Sequence, residues 1–108
     1  MNQIRVVYCT CPDTAVAETL ARGLVEERLA ACVNILPQIR SIYRWQGEVQ
    51  EDSESLLLIK TTRAALAGLQ AWLLGQHPYD EPEIVAVTVS EGSPGYLAWV
   101  AAETEYRE

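Results

Sequence analysis

Few residues in this 108-residue chain have the chemistry to bind or react. There is one histidine, His77, one lysine, Lys60, and three cysteines, Cys9, Cys11 and Cys32. An imidazole is poised for proton transfer near neutral pH and is a good ligand for copper and zinc. Cys9-Thr10-Cys11 sets two thiols at alternate positions. On a strand they point to one face, about 6.6 Å apart along it, and thiolates so placed suit a soft ion such as Cu(I). The competing reading makes Cys9 a small core residue at a strand end and puts Cys11 in the following loop, since free cysteine packs as a small hydrophobe. Cys32, in an Ala-Ala-Cys-Val run, reads as core. His77 opens the loop His77-Pro78-Tyr79-Asp80-Glu81-Pro82, with Glu83 just beyond. The carboxylates there offer oxygen ligands, but a histidine that only caps the preceding helix is the plainer reading. Glu48, Glu51, Asp52 and Glu54 match no calcium-loop spacing and read as a solvated face. No nucleophile elbow, phosphate-binding glycine loop, HExxH or paired CxxC occurs, so catalysis is not expected.

Eight basic residues stand against 15 acidic ones, a net charge of −7. Such a chain has no cationic field for a phosphate backbone or an anionic membrane surface. It contains no apolar run long enough for a membrane span. The start, Met1-Asn2-Gln3-Ile4-Arg5, lacks the pattern of a secretory signal, and an odd cysteine count does not suit a disulfide framework. A soluble cytoplasmic protein with reduced thiols is expected.

One domain, 1–108, should position these side chains, because no linker or low-complexity tract interrupts it. A β-rich first strand spans Ile4 to Cys9. Pro12 and Asp13 suit a helix start. Ala17, Leu20, Ala21 and Leu24 then form one apolar stripe, and the helix should end near Arg28 or Leu29. Ala31 to Trp45 reads as a long strand with a bulge or edge position at Pro37. Gln46-Gly47 marks a tight turn into a partner strand, Glu48 to about Thr61. The continuously apolar Leu56 to Ile59 should be buried on both faces. Thr62 can cap a second helix with the stripe Leu66, Leu69, Trp72 and Leu73, ending near Gly75. Ile84 to Val89 is a β-branched strand, and Ser93-Pro94 opens a short helix. The order β-α-β-β-α-β plus a helix is that of an α+β, ferredoxin-like fold with both main helices on one sheet face. Each hairpin strand far exceeds the usual length, so Ile39, Ile42, Tyr43 and Trp45 call for a partner, and a homo-oligomer follows.

Several runs together resemble the CutA divalent-cation tolerance proteins. They are Ala30 to Pro37, Ser41 to Val49, Leu57 to Thr62, His77-Pro78-Tyr79 with Pro82-Glu83-Ile84, and Tyr96-Leu97-x-Trp99, with Cys9-Thr10-x-Pro12 in the first strand. The resemblance implies a homotrimer built like the PII signalling proteins, with long hairpins pairing across subunits. It also implies a role in tolerance of divalent cations, for which copper (Cu2+) binding has been proposed in the family. Cys9 and His77 match ligands proposed there, and Glu83 matches a nearby carboxylate. A neighbouring position that can be histidine in the family is Gln76 here, so no His-His pair is available. Two functions then compete. One is a trimeric metal-responsive protein that holds a divalent cation through Cys9 and His77, with Glu83. The other is a PII-like small-molecule sensor or scaffold whose inter-subunit clefts are lined by Tyr43, Trp45, Lys60 and Tyr79.

Overall fold

The structure, a computed structural model, describes residues 3–105. The outermost residues of the 1–108 unit, including Met1 and Asn2 of the stretch read for a leader, lie outside it. Strand β1, Ile4–Cys11, is followed by helix α1, Thr14–Glu26, and by the hairpin strands β2, Cys32–Trp45, and β3, Glu48–Thr62. Helix α2, Arg63–Gln76, strand β4, Ile84–Thr88, and helix α3, Pro94–Glu103, complete the order. The sheet runs β2-β3-β1-β4, with every neighbouring pair antiparallel. This is the ferredoxin-like arrangement, two split βαβ units interleaved so that β1 lies inside the sheet.

Alternation along the strands sets the two faces. Val7, Cys9 and Cys11 of β1 and Leu57 and Ile59 of β3 point to one side, where Leu20 and Leu24 of α1 and Leu69 and Leu73 of α2 close over them. Each fully buried leucine there contributes roughly 1.5–3 kcal/mol through the apolar surface it removes from water. On the other side Tyr8 lies opposite both Leu58 and Val85, and Val6 lies opposite Val87. Tyr8, Leu36, Val85 and Val87 are exposed there, and Leu56 and Leu58 are half-buried, so β3 is not covered on both faces within one chain. Helix α3 packs a smaller cluster, Val100 against Ile4 and Ala31.

Local signals account for most element ends. Asp13 caps α1, its carboxylate accepting from the Val16 amide at 2.8 Å, so Pro12 precedes the cap rather than opening the helix. The same helix stops at Glu26, two or three residues before the end expected near Arg28 or Leu29. Arg28 takes a positive φ of 59°, and the amides of Arg28 and Leu29 close back onto the carbonyls of Val25 and Leu24. That is a Schellman closure with arginine in the position glycine usually holds. Gln46 and Gly47 both have positive φ, the geometry a two-residue hairpin turn requires. Pairing shifts between Leu36 and Ile39, where Gln38 has φ 58°, so the bulge expected at Pro37 is present.

Candidate metal centre

The last three residues of β1, Cys9, Thr10 and Cys11, form the floor of the site. Cys11 belongs to the strand, opposite Ser55, and its side chain falls on the same helix-covered face as that of Cys9. Both cysteines are 0% exposed. The third group comes from the end of α2. His77 donates its amide to the Leu73 carbonyl at 2.8 Å and then turns extended, with ψ 140°. Pro78 enforces that turn, because a residue before proline is pushed out of the helical region. His77 therefore does cap α2, as the plainer reading held, but through its backbone. Its ring is delivered onto β1.

There the imidazole is fully engaged. The Tyr79 amide donates to Nδ1 at 3.1 Å, and Nε2 lies 2.8 Å from the Thr10 carbonyl oxygen. An amide can only donate, so Nδ1 carries the lone pair. Nε2 then bears the proton and donates to Thr10. The sulfurs of Cys9 and Cys11 and a ring nitrogen of His77 all lie within 4.8 Å of one another. The Cys9 thiol lies 3.8 Å from the Thr10 carbonyl oxygen as a donor, and its interaction with Cys11 pushes the Cys9 thiol up and holds Cys11 below the usual thiol range. Burial and the charges of Cys11, Glu83 and Glu54 raise Cys9 further.

Tyr79 seals one side of the site. Its ring lies 4.9 Å from that of His77, tilted by 44°, and its hydroxyl donates to a Glu54 carboxylate oxygen at 2.9 Å. Burial and then this hydrogen bond raise the Tyr79 phenol above its ordinary range. Glu54, expected on a solvated face, is only 9% exposed. Its neighbours Glu51 and Asp52 remain outside, paired with Arg40 and Tyr43 on the hairpin. The partner that covers Glu54 is 25 residues away in sequence, so no local pattern announces it.

Cys9 and His77 are thus brought together, with Cys11 as a third donor atom. Glu83 is exposed, stands outside this cluster among the described residues, and acts on Cys9 by its charge. Cys32, read as core, is half-buried and belongs near Tyr96 of α3. The four residues assigned to a ligand cleft do not converge within one chain. Trp45 faces Glu48 at the turn, while Lys60 lies opposite Val6 and Cys32, twelve positions along β3 and about 40 Å away at strand rise. Tyr43 sits on the hairpin, and Tyr79 is taken up by His77 and Glu54.

Two thiols and an imidazole make a donor set for soft and borderline cations. Residues 5–103 match the model of the CutA1 divalent ion tolerance protein family. The chain belongs to that family. It is 56% identical over 99 residues to the divalent-cation tolerance protein CutA of Thermus thermophilus, covering 92% of this chain and 96% of the relative. A solved structure of the divalent cation tolerance protein from the same organism superposes with a TM-score of 0.92 at 54% identity, over 94% of this chain and 99% of that one. The Xenopus laevis Protein CutA homolog is 46% identical over 92% of this chain, which spans only 66% of that relative's length. Among these CutA1-family residues, no helix of the described chain is long and apolar enough to cross a membrane.

Proposed function

We propose that the protein acts in divalent-cation tolerance by binding a thiophilic metal ion, copper foremost, in the cluster of Cys9, Cys11 and His77. The observation that carries this reading is the convergence of three buried donors on one spot, from β1 and from the loop after α2. When bound, the ion would be held by thiolate sulfur, with His77 at its side and Glu83 and Glu54 adding negative charge. The net charge of −7 favours cation capture in general.

Binding rather than turnover fits the ring chemistry. With Nε2 donating and Nδ1 accepting, His77 has no lone pair left to take a proton from a cysteine nucleophile. The uncovered sheet face and the long hairpin support assembly as a homotrimer. We place the protein in the cytoplasm, where its three free cysteines stay reduced. Isothermal titration with Cu(II) and Zn(II) tests the site. Saturable binding that weakens in Cys9→Ser and His77→Ala is expected, and identical heats in both variants and the parent overturn it.

A further inference from the structure

We propose that the two ligands in this cluster are the thiolates of Cys9 and Cys11, that the ion they select is a soft monovalent cation of the Cu(I) and Ag(I) class, and that His77 is a positioning residue. This rests on the metal-binding reading above and gives it a ligand class and a division of labour.

The first observation is the state of His77. Both ring nitrogens are committed, one as acceptor from Tyr79 and one as donor to Thr10. Ligation through Nε2 would strip its proton. To stay neutral, the ring would then carry the proton on Nδ1, where the Tyr79 amide already points a donor. Ligation through Nδ1 would displace that amide directly. The first route breaks a buried hydrogen bond and the second a partly buried one, and moving the loop also disturbs the Tyr79 hydroxyl on Glu54. The sulfurs give up less: an ion displaces the Cys9 thiol proton and its long contact to the Thr10 carbonyl at 3.8 Å, and no loop has to move.

The second observation is the placement of those sulfurs. Strand alternation sends both to one side of β1, and they lie within 4.8 Å of each other. Metal–sulfur bonds of about 2.3 Å let one ion reach both at such a spacing. The residue between them, Thr10, is held by the His77 ring, β3 pairs with all three residues, and β4 pairs with Cys9 on the other side. The pair is therefore set before any ion arrives.

The third is the count. Among the described residues the cluster holds three donors, and no carboxylate joins it. With His77 committed, two sulfurs remain in a buried, water-poor position. Four-coordinate zinc needs more ligands than this, and hard cations need oxygen. Soft thiolate pairs select Cu(I)-like ions. His77 contributes by holding Thr10 and by roofing the site with Tyr79.

The test is anaerobic titration of the full chain with Cu(I), competed by a colorimetric Cu(I) chelator, and in parallel with Ag(I). One ion per chain is expected. Cys9→Ala and Cys11→Ala should each weaken binding by far more than His77→Gln, which should lose about 10–100-fold, as outer-shell partners do. X-ray absorption at the copper edge should show sulfur scatterers without an imidazole pattern, a readout that does not depend on any variant folding. Equal losses at His77 and Cys11, or imidazole scattering, overturn the inference. Binding of Cu(II) or Zn(II) with none of Cu(I) and Ag(I) overturns it and leaves the proposed function standing. A chain that binds none of these ions removes both.

Discussion

The Nε2–H of His77 donates to the Thr10 carbonyl across 2.8 Å, tying the loop after α2 to the peptide that separates Cys9 from Cys11. One hydrogen bond thus joins the lone histidine, 67 positions away in sequence, to the only thiol pair on a shared strand face among the described residues. Both partners are buried, so the bond has consequences for stability as well as for the site.

Removing the ring should leave the Thr10 carbonyl and the Tyr79 amide without their partner. His77→Ala is expected to lose about 1–3 kcal/mol, the cost of buried polar groups left unsatisfied, and part of this should return in His77→Gln. Urea unfolding of the three proteins measures it. A stability unchanged in His77→Ala contradicts the assigned bond.

Tyr79 should give the protein an alkaline signature. Its phenol is raised in the folded state by burial and by the Glu54 carboxylate. A group raised on folding adds stability that is complete below its unfolded value, about 10 for tyrosine, and is lost as pH climbs from there through the folded value. Stability should therefore fall above about pH 10, and Tyr79→Phe should remove that part of the decline. Glu54→Gln should move the phenol back toward the ordinary range in an ultraviolet titration. A tyrosine titration identical in parent and Glu54→Gln speaks against the contact.

Gly23 is a packing requirement rather than a flexible point. A Cβ there would lie 2.4 Å from the Trp72 ring, so α1 and α2 meet only because the side chain is absent. Alanine at a helix interior would ordinarily gain stability, by about 1 kcal/mol over glycine. Here overpacking should win, and Gly23→Ala is expected to lose about 1–3 kcal/mol by thermal unfolding. Gly75, with open space around its Cβ position, is the control, and Gly75→Ala should not lose stability.

Much of this was legible beforehand because the signals are local. Gln46-Gly47 announces the hairpin turn, Pro37 the bulge, Thr62 the cap of α2, which accepts from the Ala65 amide at 3.2 Å. The end of α1 was hidden because Arg28 occupies a left-handed position with no glycine to advertise it. The site was legible in its types and only half in its membership. Cys9-x-Cys11 and His77 stand out by scarcity, yet whether Cys11 was strand or loop depends on pairing with Ser55, a partner 44 positions away. Glu54 was invisible as a buried group because its hydrogen-bond partner, Tyr79, comes from another segment.

The sheet face bearing Tyr8, Leu36, Val85 and Val87 makes a prediction about assembly. Light scattering after size exclusion should give close to three times the subunit mass. Val87→Glu, which puts a charge on that face at the edge strand β4, should shift the population toward monomer. A parent that is monomeric at micromolar concentration rejects the trimer.

The central claim is that Cys9, Cys11 and His77 form a metal centre, and a crystal grown with copper tests it most directly. An anomalous difference map at the copper edge should place its strongest peak among the two sulfurs and the His77 ring. Peaks confined to surface carboxylates such as Glu48 and Glu51, with none at the cluster, would contradict it.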